Sequence, residues 1–256
     1  MTDADADLVH IAVVDGVATI TLDSVANRNA LSSRLVGQLL SAVQGAATDD
    51  AVHAVVITGN GPVFCSGADL SDPPSNASGN RFSYPDVLQA MLACPKPVVA
   101  KVNGLARAGG LGLIAASDIA IAPSTATFAF TEVRLGLVPA IIAVVCRRVM
   151  DPRSFARLTL VGETFDAATA VASGLLTSAI DPDAFQATFD ALLAEIHRTE
   201  PNAVRTTKRL IADLATMSIV DGFEHAAAIS TAAFDSAQGR EGIAAFRERR
   251  APSWAW

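Results

Sequence analysis

Two glycine-rich stretches carry residue types that could do chemistry. The first is Gly59-Asn60-Gly61-Pro62-Val63-Phe64-Cys65-Ser66-Gly67-Ala68-Asp69-Leu70. The second is Pro97-Val98-Val99-Ala100-Lys101-Val102-Asn103-Gly104-Leu105-Ala106-Arg107-Ala108-Gly109-Gly110-Leu111-Gly112-Leu113. Each follows or begins with an apolar, β-branched run. The second turns at Asn103-Gly104 and resumes as a small-residue helical pattern from Leu111 to Ala116. A strand, a glycine-rich turn and a helix start aim free backbone N–H groups into open space. Such groups hold a phosphate or the oxyanion of a reacting carbonyl, where removing one donor costs about 2.7–4 kcal/mol in the transition state. Glycines also serve simply to permit tight turns, so the pattern alone leaves three readings open.

Glu132 is the best acid–base candidate. It lies in a mostly apolar stretch, where desolvation raises a carboxyl pKa towards the operating range. A surface carboxylate, or one paired with Arg134, is the alternative. Gly110-Leu111-Gly112-Leu113-Ile114-Ala115 also satisfies GxGxxG/A, with Glu132 about 20 residues on, the spacing of a dinucleotide fingerprint. Leu105 to Gly109 separates that fingerprint from its strand, which weakens a dehydrogenase reading, and no GxxxxGK[ST] motif occurs. Asp69 and Asp118 read as braces for adjacent turns. Cys65 and Ser66 lack the G-x-S-x-G elbow of a nucleophile. His10, His53, His197 and His225 are isolated, with no metal-ligand spacing.

The elements that position these residues follow from periodicity. Val9 to Val14 and Val17 to Leu22 read as strands joined at Asp15-Gly16, a strong hairpin signal. Asn29-Ala30-Leu31-Ser32 opens a helix in which Leu31, Leu35, Leu39 and Val43 recur at helical spacing. Ala54 to Thr58 is a short apolar strand, and Gly59 to Gly67 a glycine-rich turn. Ser71 to Asn80 reads as a surface loop. Tyr84 to Cys94 is helical and stops at Pro95 and Pro97. Ile119 to Ala122 and Thr127 to Ala129 are short strands, Pro139 to Met150 is an apolar helix, and Asp151-Pro152 and the Gly162–Asp166 segment each begin another. From Ala184 onwards the pattern is almost wholly helical, with a break at Glu200-Pro201. Strands with crossover helices thus precede a helical segment, an α/β arrangement.

Composition narrows the partners. The chain has 256 residues, 51% hydrophobic and 18% charged, with a net charge of -7. The charged share falls below the usual value of about 25%, which suggests apolar surface covered by other subunits. The acidic balance argues against nucleic acid or an anionic membrane as partner. Met1 to Asp7 lacks the basic and apolar regions of a signal peptide, and no run reaches the roughly 18 uninterrupted apolar residues of a membrane helix. With Cys65, Cys94 and Cys146 scattered and odd in number, a soluble cytoplasmic protein is expected.

Taken together these segments resemble the crotonase family, the enoyl-CoA hydratase/isomerase superfamily. The resemblance rests on Val17 to Leu22, Arg28-Asn29-Ala30-Leu31, Ala54 to Gly59 and Phe64 to Leu70. It continues through Lys96 to Gly104, Ser117-Asp118-Ile119, Glu132-Val133-Arg134-Leu135-Gly136 and Glu241 to Phe246. It implies a spiral of ββα units over residues 1–195 and a helical trimerisation region over 196–256, assembled as trimers or hexamers. It also implies an acyl-CoA thioester as ligand, with no metal or redox cofactor, coenzyme A entering as part of the substrate. By position the oxyanion donors are the N–H groups of Ala68 and Gly109. Ser66, Ala68, Asp69, Leu70, Gly109 and Gly110 line the substrate, and the basic run Arg247 to Arg250 resembles a segment that reaches CoA on a neighbour.

Departures from the family pattern concern the acids. Hydratases of this family carry two glutamates that hold one water; the second matches Glu132, and the first falls at Gly112. Members that isomerise enoyl-CoA keep the carboxylate matching Glu132. Others place an Asp after the residue matching Pro139, where this chain has Ala140. The run from Glu132 to Ala140 also resembles a bacterial subgroup of enoyl-CoA or methylglutaconyl-CoA hydratases. The resemblance therefore implies an enoyl-CoA hydratase/isomerase acting on 2- or 3-enoyl-CoA with Glu132 as single acid–base group. A non-catalytic acyl-CoA binder and a CoA-thioester hydrolase are the alternatives. The pocket wall is expected from residues 71–92 and from Ile141-Ile142.

Overall fold

The computed structural model describes residues 7–72 and 84–255. Most of the expected surface loop, from residue 73 on, lies outside them. Strands β1 (Val9–Val14) and β2 (Val17–Leu22) form an antiparallel hairpin closed by Asp15 and Gly16, at φ 46° and 65°. Two left-handed residues give the turn that matches the twist of its flanking strands. Helix α1 (Ser33–Thr48) starts behind Ser32, whose side chain accepts from the Leu35 N–H, and buries Leu35, Leu39 and Val43.

From here the chain alternates between two sheets. β3 (Ala54–Gly59) enters the first, β4 (Val63–Cys65) the second, and α2 (Tyr84–Ala93) follows. The pattern repeats with β5 (Val98–Lys101), β6 (Leu105–Arg107) and α3 (Gly109–Ala116). It repeats again with β7 (Ile119–Pro123) and β8 (Thr127–Ala129), a 3₁₀ turn at Glu132–Leu135, α4 (Ala140–Val149) and α5 (Pro152–Val161). A last turn gives β9 (Phe165–Asp166), α6 (Ala167–Ala172) and β10 (Ser178–Ile180). The sheets run β1-β2-β3-β5-β7-β10 and β4-β6-β8-β9. The two repeats each add one parallel strand to each sheet, which makes the ββα units a spiral, and β9 closes the second sheet antiparallel to β8.

The structure corrects three local expectations. Leu31 precedes the helix and forms a parallel bridge to Ala68, because Ser32 is extended as the N-cap. Strand β4 lies within the expected Gly59–Gly67 turn, and β6 lies between Gly104 and the helix, which begins at Gly109 rather than Leu111. Strand β10 has no sequence signal above its three residues. Every residue of α3 is buried, so this helix is apolar all round and sits inside the core.

The chain divides into two compact units, Met1–Cys94 with Val98–Phe189, and Pro95–Pro97 with Asp190–Trp256. The first holds both sheets. Helix α7 (Phe185–His197) runs from one unit into the other. The second unit holds α8 (Pro201–Leu214), α9 (Ile219–Asp235) and α10 (Ala237–Glu248), capped by Glu200, Ser218 and Ser236. Among α8, α9 and α10 only Gly222 and Ala245 are buried, while Phe223, Phe234 and Phe246 are exposed. Its end is pinned by Arg250, which donates to both oxygens of Glu241 at 2.6 and 2.9 Å. No described helix is long and apolar enough to cross a membrane.

Candidate active site

The first glycine-rich turn is built by strand β4. Phe64 and Cys65 are fully buried, and burial pushes the Cys65 thiol up to about 12, which leaves it inert as a nucleophile. Beyond Ser66 the chain passes Gly67 at φ 98°. Ala68 then bridges Leu31: the Leu31 N–H donates to Gly67 O at 2.8 Å, and the Asp69 N–H donates to Leu31 O at 3.4 Å. In an extended segment alternate amides point to opposite sides, so the Ala68 N–H points away from Leu31. Ala68 and Leu70 are exposed and Asp69 is buried. The Asp69 carboxylate is committed: one oxygen accepts from the Ser71 N–H (2.9 Å) and hydroxyl (2.6 Å), the other from Asn27 Nδ2 (2.6 Å). These bonds, the Ser71 hydroxyl first, hold its pKa below the usual carboxylate range.

The second turn meets the first. Ala108, the residue before α3, has φ 46° and ψ −117°, a conformation rare for a residue with a side chain. A Cβ on Gly67 would lie 2.7 Å from the Ala108 Cβ, and a Cβ on Gly109 would lie 3.7 Å from the Gly67 Cα. Glycine at both positions lets the two turns abut. Gly109 and Gly110 are the first residues of α3, where helix geometry leaves N–H groups without intrahelical partners. Gly110 lies against β4, since a Cβ there would be 2.7 Å from Cys65 O. The GxGxxG-like run is therefore inside a buried helix, with no open turn for a pyrophosphate.

Glu132 opens the 3₁₀ turn after β8, which ends at Gly136 with φ 73°. The side chain is half-buried, and its Oε2 is enclosed with no hydrogen-bond partner among the described residues. Burial raises its pKa above the ordinary 4.5, partly offset by its own backbone N–H. The alternative pairing with Arg134 does not form, because Arg134 donates instead to Val161 O at 3.3 Å. Glu132 bears on α2 and α4: burial first, and then its charge, raise the pKa of the Tyr84 hydroxyl and the Cys146 thiol. Cys146 in turn lies 3.7 Å from Leu111 O.

Gly112, the place of the absent first acid, is closed. A Cβ there would stand 2.6 Å from the Tyr84 hydroxyl and 2.7 Å from Ile142 Cγ2. The hydroxyl donates to the Gly109 carbonyl. No spacing pattern singles out Tyr84, which lies 25 residues from that carbonyl. Asp118 braces β5, accepting from the Val98 N–H at 2.7 Å. Of the histidines, His10 pairs with Asp23 and His225 with Asp213, and no three His, Cys, Asp or Glu side chains converge among the described residues.

The sequence profile of the family described as enoyl-CoA hydratase/isomerase matches residues 13–255. The chain belongs to that family. Its relatives include the 2,3-dehydroadipyl-CoA hydratase of Escherichia coli, 29% identical over 243 residues, 93% of this chain and 94% of that protein. Among solved structures, an enoyl-CoA hydratase from Mycobacterium smegmatis superposes with a TM-score of 0.91 at 29% identity, covering 97% of this chain and 99% of that one. Pseudomonas aeruginosa AtuE superposes equally well, TM-score 0.91 at 31% identity, covering 98% and 100%. The spiral of ββα units is thus the crotonase fold.

Proposed function

We propose that this crotonase-fold chain binds acyl-CoA thioesters and moves a proton within 3-enoyl- and 2-enoyl-CoA, with Glu132 as the single acid–base group. The Glu132 carboxylate takes a proton from C2 of a 3-enoyl thioester. The electrons move onto the thioester oxygen as a dienolate, and the Ala68 and Gly109 N–H groups donate to that oxyanion. The Glu132 carboxyl then returns the proton at C4, giving the conjugated 2-enoyl thioester with all atoms balanced.

The observation that carries this reading is the contrast between an enclosed, unpartnered oxygen on Glu132 and the filled space at Gly112. One carboxylate suffices for a proton shuttle between two carbons of one substrate. Desolvation favours the role, because it raises the carboxyl pKa towards neutrality, where a group both accepts and gives a proton. Ser66, Asp69, Leu70 and Gly110 act here through backbone placement beside the thioester, since the Asp69 carboxylate is occupied within its own turn. The helical unit with exposed Phe223, Phe234 and Phe246 suits assembly into a trimer or hexamer.

Hydration of 2-enoyl-CoA is the second reading, favoured by the names of the relatives. Purified protein offered both substrates decides between them: a gain of conjugated thioester absorbance from 3-enoyl-CoA supports the shuttle, and its loss from 2-enoyl-CoA supports hydration. Binding with neither change identifies a non-catalytic binder, and free thiol release identifies a thioester hydrolase. Glu132→Gln should abolish turnover while acyl-CoA affinity stays within about twofold, since it removes an interaction made in the transition state alone.

A further inference from the structure

Tyr84 stands at the start of α2, in a different ββα unit from the helix it touches. Its hydroxyl donates to the Gly109 carbonyl, and the Leu113 N–H approaches the hydroxyl oxygen itself. Gly109 and Leu113 are the i and i+4 partners of the first turn of α3. A side-chain oxygen reaches both because Gly112, on the same face, has no side chain. Ile142 from α4 closes the remaining space.

We propose that Tyr84 is the positioning residue of this site: its hydroxyl fixes the Gly109 peptide at the start of α3 and, with Ile142, keeps a second acid and its water away from Glu132. The proposal rests on the proton-shuttle reading above. Gly109 is conformationally permissive and follows the left-handed Ala108, so the direction of its N–H depends on what holds its neighbours. The Gly67 contact fixes one side and the Tyr84 hydroxyl fixes the carbonyl on the other. The same hydroxyl occupies the volume that the first atom of a side chain at 112 needs. The groups that bear on it electrostatically are Cys65 on β4, Cys146 on α4 and Glu132. Burial holds its pKa well above the usual phenol value, so it stays protonated. Its one proton is spent on a carbonyl, which makes it an anchor rather than a base.

The test is Tyr84→Phe, which keeps the ring and removes the hydroxyl. Three quantities are read: kcat and KM on 3-enoyl-CoA, the pH profile of kcat/KM, and affinity for two non-turnover esters. One ester is a saturated acyl-CoA; the other is a 3-oxoacyl-CoA, whose enolate carries the thioester oxyanion. Loss of alignment of one donor should lower kcat about tenfold with KM within twofold. Preference for the enolate over the saturated ester should fall by a similar factor, and the acidic limb of the pH profile should stay in place. Unchanged kcat and unchanged preference, even with a lower melting temperature, would mean Tyr84 only packs, and would overturn the proposal. So would loss of the basic limb, which would make Tyr84 a proton donor. Should Tyr84→Phe fold poorly, Gly112→Ala pushes on the hydroxyl from the other side and should lower the same preference. Wild-type protein that binds neither ester overturns the function reading itself, and this inference with it; that outcome is visible before any variant is made.

Discussion

Positions 112 and 132 both bear on Tyr84, yet they meet opposite surroundings. At Glu132 a short 3₁₀ turn closed by a left-handed glycine carries a side chain with an enclosed, unsatisfied oxygen. At Gly112 the fold leaves no room for a side chain, since a phenol and a branched aliphatic side chain press on the missing Cβ. A buried polar atom without a partner normally costs about 1–3 kcal/mol. Its presence at one position, against dense packing at the other, is the arrangement that the single-acid proposal calls for. The two glycines that flank the contrast differ in kind as well. Gly112 is required by crowding, whereas Gly136 is required by backbone conformation, with nothing within 4 Å of its missing Cβ.

The comparison breaks most readily in activity. Glu132→Gln should lower kcat by about 10²–10⁴-fold, the usual contribution of a positioned acid–base group, measured on 3-enoyl-CoA; activity within threefold of wild type refutes the assignment. Crowding at 112 comes next. Gly112→Ala should destabilise by about 1–3 kcal/mol in denaturant unfolding, as overpacked cores do. In a Tyr84→Phe background that loss should shrink by about 1 kcal/mol, a coupling expected of side chains in direct contact. An unchanged loss would show that Ile142 alone closes the space. Gly136→Ala tests the other kind of glycine and should cost about 1 kcal/mol through its positive φ alone, whatever residue stands at 84.

The smallest effect is a pH dependence. Burial raises the Glu132 pKa above 4.5, so the folded chain holds that proton more tightly than the unfolded chain does. The charged carboxylate therefore weakens folding once the pH rises above the unfolded value. Glu132→Gln should melt at a slightly higher temperature than wild type at neutral pH, and the gap should close as the pH falls below 4.5. A gap that widens on acidification contradicts the burial argument.

Much of the frame is legible in the sequence because its signals are local. Asp15-Gly16 fixes the hairpin, Ser32 and the Leu35-Leu39-Val43 spacing fix α1, and Asp151-Pro152 caps α5. What escapes is short or distant. Strands β4 and β6 have three residues each, and the glycines beside them read as turns, whereas β8, equally short but with no glycine beside it, is legible; β10, again of three residues, has no alternation to register. Leu31 fits the helical spacing but serves the bridge to Ala68. The placement of Glu132 among apolar neighbours is legible, and its half-burial agrees with that expectation. Tyr84 is not legible, because its partners lie in the next ββα unit and its helix gives no reason to single it out. The one available signal is indirect: a glycine inside a fully apolar helix demands something to fill the space beside it.

The closure at Gly112 also bears on how such a chain can change over generations. A glutamate at 112 collides with Tyr84 and Ile142 together, so that codon change alone costs stability before it offers a second acid. Opening the space first removes an anchor from the Gly109 carbonyl. Either order passes through a poorer intermediate, so the route to a two-acid site is a valley crossed by at least three coordinated substitutions rather than a slope. Laboratory evolution started from this sequence should therefore diversify its acyl pocket long before it acquires a second carboxylate.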